Sequence, residues 1–242
     1  VPVMEKLMYP LWMSAGADPD GFREMLVGDV AAEIAALDPV LGVRVTAVDS
    51  AVDAAAGRRM ISHPPGPDAV LSLWVDHAGA APAWTPLLDD RVERWSGYLV
   101  AEAEPLVSAV THPVPLGQRG FGMCQVVFLQ QPARLNRDQW FAIWKDSHTQ
   151  VAIDTQSTFG YRQNVVVRLL SDSTPPCDAI VEENFPPEAM ASDHAFYDSG
   201  GDEARLQAHM TAMMESCARF IDFDQLDVLP MSEYLCLSPV AR

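Results

Sequence analysis

Apolar and polar positions along the chain follow two rhythms, and the rhythms alternate in the same order twice. Residues 5–13 (EKLMYPLWM) read as a strand, with Pro10 marking an edge position or a bulge. Asp18 or Asp20 can cap a helix from about Gly21 to Leu37, because Phe22, Met25, Leu26, Val30 and Ile34 recur at helical spacing. Strands at 42–52 and 69–76 follow, separated by a Gly- and Pro-rich loop at 57–67; a helix around 84–96 and a strand near 98–108 complete the set. The segment 109–119 then breaks the periodicity with Pro, His and Gly. The pattern restarts with a strand at 120–130, a helix capped by Asn136 or Asp138 and running to about Asp154, a strand from Gly160, and a strand at 178–185. Helical segments near 187–198 and 204–221 and a last strand over roughly 225–237 close it.

Strand–helix–strand–strand–helix–strand is the ferredoxin-like order, with helices on one face of a four-stranded antiparallel sheet. The chain therefore reads as α+β, with two tandem ferredoxin-like halves at 1–110 and 118–242. Each half leaves one apolar sheet face bare, and two halves in one chain bury both most simply by packing those faces together. A faint internal match agrees: DAVLSLWV at 68–75 resembles DAIVEENF at 178–185, and GVRVTAV at 42–48 resembles GYRQNVV at 160–166.

Composition narrows the partners. The formal charge of −17 over 242 residues repels phosphate backbones and anionic lipid, so nucleic-acid and membrane-surface binding are not expected. Apolar runs such as Leu7–Met13 are too short to span a bilayer, and the opening Val-Pro-Val-Met-Glu-Lys has no leader pattern, which makes the cytoplasm the expected location. Cys124, Cys177, Cys217 and Cys236 are widely spaced and read as inert thiols rather than a disulfide framework or a zinc set.

The candidate chemistry lies in 134–168. On a helix, Trp140, Trp144 and His148 share a face at i, i+4 and i+8. Two indoles beside an imidazole on an inward stripe suggest an aromatic-walled pocket for a flat apolar ligand, with a group able to act as general acid or base. The same spacing also suits a core histidine bonded to a carbonyl, with tryptophans that fill space.

The run from Arg134 through Trp140, Trp144 and His148, followed by Gly160-Tyr161-x-Gln163-Asn164, resembles the EthD family of the dimeric α+β barrel superfamily. The resemblance covers about 120–170 and is faint over 1–110. It implies a pseudo-dimeric α+β barrel with a ligand between sheet and covering helices. His148 takes the place of the family's helix histidine, and Tyr161 and Asn164 take its strand positions. The family's relatives act in ether-fuel degradation and as decarboxylases, dehydratases or cyclases of aromatic polyketides; neighbouring barrel families include cofactor-free monooxygenases, lactone isomerases and haem enzymes. The first half departs from this pattern, since Leu26 stands opposite Trp144 and Val30 opposite His148, so one working pocket per chain is expected.

A carboxylate on a central strand needs a hydrogen-bonding reason, which draws Glu182 or Glu183 toward the pocket or to its rim. His209, near Met210, Met213 and Met214, suggests a soft cover over a ligand or plain helix packing. Nucleotide-loop, zinc-protease and nucleophile-elbow motifs are missing from the sequence. The expectation is a cofactor-independent acid–base enzyme for a hydrophobic aromatic or cyclic small molecule. Its catalytic set would be His148, Tyr161 and Asn164, with Trp140, Trp144, Gln163, Glu182 and His209 binding substrate. The alternatives are a haem protein with His148 as axial ligand and a non-catalytic carrier. A monomer with an internal pseudo-dimer and a homodimer both fit.

Overall fold

Strand β1 (Glu5–Trp12) is buried along almost its whole length, because both of its faces are covered. In the computed structural model, which describes residues 4–79, 82–171 and 174–239, this holds for most of the sheet. The chain continues through α1 (Pro19–Met25), a π-helical turn at Leu26–Val30, α2 (Ala31–Ala35), β2 (Val40–Ala47), a 3-10 helix at Ser50–Arg58 and β3 (Ala69–Val75). Next come α3 (Thr85–Arg91), the two-residue β4 (Arg94–Trp95), β5 (Tyr98–Leu106) and a short α4 (Ser108–Thr111). The second run comprises β6 (Met123–Leu129), α5 (Arg137–Ile143), a π-helical turn at Trp144–His148, α6 (Thr149–Thr155), β7 (Gly160–Leu169) and β8 (Ala179–Phe185). It ends with α7 (Asp193–Phe196), α8 (Glu203–Ala218) and β9 (Leu226–Leu237).

The strands pair antiparallel in the order β3-β2-β9-β6-β8-β7-β5-β1, and β1 pairs β3, so eight strands close a barrel within one chain. Leaving aside the two-residue β4, the first four strands lie as β5-β1-β3-β2 and the last four as β9-β6-β8-β7, the same pattern of neighbours twice. The seams are β2 on β9 and β5 on β7. Closure removes sheet edges and gives every strand an inner and an outer face.

Alternation sorts the side chains between those faces. Leu7, Tyr9 and Leu11 point outward into a core with Phe22, Leu26, Val30 and Ile34 of the first helix. Met8, Val70, Tyr98, Val126, Ile180 and Leu229 point inward and fill part of the lumen. Over β6–β9 the outer core is Val127, Leu129, Trp140, Trp144, Tyr161 and Val181, with Met213 and Phe220.

Some boundaries differ from the sequence reading. The strand expected over 42–52 ends at Ala47, because Asp49 accepts from Ala51 N and starts the alanine-rich 3-10 helix. The helix expected over 84–96 stops at Arg91, since Trp95 and Arg94 pair back onto Leu11 and Trp12. Pro10 is neither at a barrel edge nor in a bulge. It registers with Val70 on one side, while on the other the β5 ladder ends at Met8 and the β4 ladder starts at Leu11, so its missing N–H leaves no bond unmade. Residues 1–3 of the opening segment lie outside the described residues. No helix among the described residues is long and apolar enough to cross a membrane.

Candidate functional site

Register places three polar side chains in a row on the outer face of β6, β8 and β7. Glu183 is the direct cross-strand partner of Gln125 on one side and of Tyr161 on the other. A residue one position along each strand faces the opposite way, which sends Glu182 and Arg162, themselves register partners, into the lumen.

The helix facing this row begins with a capping box. Asn136 Oδ1 accepts from Gln139 N at 2.9 Å, and Gln139 Oε1 accepts from Asn136 N at 3.0 Å. The helix then widens into the π turn Trp144–His148, where Thr149 N and Thr149 Oγ1 both donate to Trp144 O. Such single π turns re-aim side chains and recur at functional sites. Gln163 Nε2 donates to Thr149 Oγ1 at 2.7 Å, tying β7 to the turn, and Trp144 Nε1 donates to the Tyr161 hydroxyl at 3.2 Å. The π turn at Leu26–Val30 stands at the position that the sequence comparison pairs with Trp144–His148, but there Leu26 and Val30 are packed in the core.

Between the sheet and α8 lies a cavity of about 300 Å³. Gln125, Val127, Tyr161 and Glu183 form its floor, Trp144 and His148 one wall, and Met213, Met214 and Cys217 of α8 its cover. Gly57, Arg58 and Met60, from the first run of elements, supply part of the rim. His148 Nδ1 shares a hydrogen bond with Ser216 Oγ at 2.9 Å, and its ring packs on Phe220. Nε2 has no hydrogen-bond partner among the described residues.

The electrostatics are set by burial. Among the described residues Glu183 accepts a single hydrogen bond, from Gln125 Nε2 at 3.3 Å, and desolvation pushes its pKa up to about 7. Desolvation, with Arg219 assisting, pulls His148 down to about 4, so its imidazole is neutral at neutral pH. Burial also raises the Tyr161 phenol, which stays protonated. A carboxyl that titrates near neutrality beside a neutral imidazole and a phenol O–H can exchange a proton with a bound molecule and hold an oxygen while it does so.

Of the residues singled out from sequence, Trp144, His148 and Tyr161 line this cavity. Trp140 is buried behind Trp144, its ring centroid 5.2 Å away and its Nε1 donating to Phe220 O at 3.0 Å. Gln163 braces the π turn instead of facing the cavity. His209 Nδ1 lies 2.5 Å from Tyr197 O and anchors α8, while its neighbours Met213 and Met214 form the cover. Asn164 and Glu182 are not at this site. Strand alternation places both in the lumen, where Lys6 Nζ donates to Asn164 Oδ1 at 2.8 Å and to Glu182 at 3.1 Å. Glu183 is the carboxylate that faces the cavity, and parity with Tyr161 across β7 and β8 is the signal that selects it.

The lumen holds an ionic network. Lys6 pairs with Glu102 and Glu182, and Arg162 contacts Glu182, Glu104 and Glu233. Cys124, Glu182 and Glu233 are close enough together to suggest a metal, but the Arg162 guanidinium already contacts all three and supplies the positive charge. The four thiols are unpaired, and burial raises every one of them, which makes them poor nucleophiles and ligands.

A haem meets the outer-face cavity at one point and misses it at two. His148 offers an imidazole nitrogen, but a cavity of about 300 Å³ is at the small end of those that enclose drug-sized ligands, well short of a porphyrin. The cation on its rim, Arg58, is bonded to Ala189 O and Asp193 and is not free for propionates.

No family model matches the chain, and no curated protein matches it. Among solved structures, an anthrone oxidase-like protein superposes with a TM-score of 0.55 at 8% identity, covering 100% of this chain and 96% of its own. A candidate monooxygenase from Lactobacillus acidophilus NCFM gives a TM-score of 0.49 at 8% identity over 97% of both chains. A chlorite dismutase variant from Candidatus Nitrospira defluvii gives 0.43 at 11% identity, over 95% of this chain and 90% of that one. At such identities the likeness is one of fold alone: an eight-stranded antiparallel barrel with helices packed on its outside.

Proposed function

We propose that the chain is a cofactor-independent enzyme that moves a proton on a flat, hydrophobic ring compound, with Glu183 as the group that takes and returns it. The carrying observation is a buried carboxyl poised near pH 7 in the floor of an aromatic-walled cavity. In this reading the EthD resemblance marks the second of two ferredoxin-like halves, 1–110 and 118–242, and only that half keeps an open pocket.

Each group then has a task. Trp144 and the α8 methionines exclude water and stack on the ring. Tyr161 donates its phenolic O–H to a substrate oxygen, its own oxygen being held by Trp144 Nε1. His148, fixed by Ser216, presents Nε2 as a neutral hydrogen-bonding partner in the same wall. Ionised Glu183 removes a proton from an activated carbon, and its acid form then protonates another carbon in isomerisation, the hydroxyl that leaves as water in dehydration, or the carbonyl oxygen attacked by the enolate in cyclisation; in decarboxylation the acid form protonates the carbanion left as CO2 departs. A placed acid or base of this kind contributes roughly 10²–10⁴-fold.

Deuterium uptake from D2O into the ring methylene of anthrone, followed by NMR, tests the reading. The wild-type chain should speed exchange, Glu183→Gln should lower the rate about 100-fold, and Tyr161→Phe should lower it less. Exchange no faster than in buffer, for anthrone and for a panel of fused-ring ketones, would overturn it.

A further inference from the structure

A second cavity, of about 400 Å³, lies away from the one beside His148. It sits at the end of the barrel where β1 and β6 finish and β5 and β9 begin, closed over by the loops carrying Pro64, Pro65 and Pro67 and by Pro175 and Pro176. Proline fixes φ and offers no N–H, so these walls are stiff and apolar. The two large rings of the cavity spend their polar ends on the loops: Trp12 Nε1 donates to Pro65 O at 2.9 Å, and Tyr98 O–H donates to Pro175 O at 2.9 Å. Their ring faces are left as lining.

Charge is sparse here and mostly cancelled. Asp227 accepts from Ser62 N and His63 N, and its other oxygen lies 3.6 Å from His63 Nδ1. Arg94 differs. Its guanidinium stacks on Trp12 at 3.7 Å and, among the described residues, has no carboxylate partner. Two acids of its own segment are engaged elsewhere, Asp89 by Trp95 Nε1 at 2.7 Å and Glu93 by Ala15 N at 3.2 Å, and neither they nor Asp90 forms an ion pair with it. A guanidinium held flat against an indole keeps its N–H edge open in the ring plane, the geometry that accepts a carboxylate in bidentate fashion.

We infer that this end cavity is a second binding site, for a monocarboxylate with a flat apolar body. The carboxylate would be held by Arg94, and the body would lie between Trp12, Tyr98, Phe128 and the prolines. A single negative charge suits one unpaired guanidinium, whereas a phosphate or dianion would meet a chain whose formal charge is −17. The inference is independent of the proton-transfer reading, because the two cavities share only Leu129 and no charged residue.

The test is calorimetric titration of the full chain with 2-naphthoate and, separately, with 2-naphthamide, which keeps the body and lacks the charge. Naphthoate should bind at one site per chain, with naphthamide about tenfold weaker or worse. Arg94→Gln, an exposed position whose fold is checked by its melting temperature, should weaken naphthoate by about tenfold or more and leave naphthamide unchanged. The inference fails if naphthoate gives no heat at millimolar concentration, if Arg94→Gln binds it as the wild type does, or if its affinity follows Glu183→Gln instead.

Discussion

Replacing Glu183 by Gln should make the protein more stable relative to wild type as pH rises, and the size of that effect follows from where the carboxyl sits. Glu183 is 8% exposed, has one hydrogen bond from Gln125, and titrates at about 7 instead of 4.5. Its folded-state pKa is raised, so the folded chain binds the proton more tightly than the unfolded chain. The associated stability is fully present below about 4.5, declines as pH rises through the window from 4.5 to about 7, and is gone above it. At 1.36 kcal/mol per pKa unit, the decline is about 3 kcal/mol, an upper figure because relaxation and water entry reduce it. Gln cannot ionise, so the variant lacks this decline. Whatever burying the amide costs is independent of pH and displaces the whole curve without changing its slope. Urea unfolding of both proteins at pH 4.5, 6 and 8 reads the difference directly, since every other titrating group cancels. In thermal melts the same change corresponds to roughly 6–12 °C for a chain of this size. A difference between variant and wild type that stays constant within about 0.5 kcal/mol across that range would refute the assignment of a desolvated carboxyl at this position. The same substitution should lower proton exchange on the ligand about 100-fold, so the group that destabilises the fold near neutrality is the one the proposed chemistry uses.

His148 shows the opposite sign. Its folded-state pKa is depressed from 6.5 to about 4, so its contribution is present above 6.5 and is lost as pH falls toward 4; His148→Gln should flatten the acid limb of the stability profile in that interval, measured as melting temperature against pH. Lys6→Met should destabilise by about 3–5 kcal/mol in urea unfolding, because Glu102 and Glu182 keep their burial and lose their ammonium partner. Gly122→Ala should also lower the midpoint of unfolding, by about 1 kcal/mol or more, since Gly122 has φ +69° and an added Cβ would collide with Phe185 O.

Element order was readable because helical and strand periods differ, and the two runs repeat it. Boundaries were less so. The alanines between 51 and 56 carry no strong period, and only the Asp49 cap, a three-dimensional feature, decides that the backbone turns helical there. The choice between Glu182 and Glu183 was not readable, because a barrel strand covered on both sides is buried on both faces, and alternation separates the faces without saying which is the lumen. Asn164 was a different case. Three positions after Tyr161 on one strand, it had to face the other way, yet family resemblance had grouped the two as one site. His148 and Trp144 were found by helical spacing, which the π turn preserves by ending at His148.

The two runs of strands share their order, their antiparallel seams and a π turn at matched positions, but among the described residues the matched positions are packed in a core in the first run and line a cavity in the second. The difference is traceable to a few side chains. Leu26 and Val30 are fully buried in the first outer core, with Trp84 and Leu88 packed in the same cluster and Trp84 Nε1 bonded to Tyr9 O–H at 2.9 Å. At the matched positions of the second run stand Trp144 and His148, and their polar edges are satisfied by Tyr161 and Ser216 rather than by a closed apolar core. Polar groups that need partners keep neighbouring side chains from collapsing inward, because a buried donor left unmet costs more than an unfilled methylene. Glu183 lies in the floor of that same space, and its high pKa shows how little the surroundings compensate its charge. A half that was all leucine and valine there would be the more stable one. That the second run of strands instead keeps an undercompensated carboxyl, an imidazole and a phenol around about 300 Å³ of space is the physical reason the proposed chemistry is assigned to it and not to the first run.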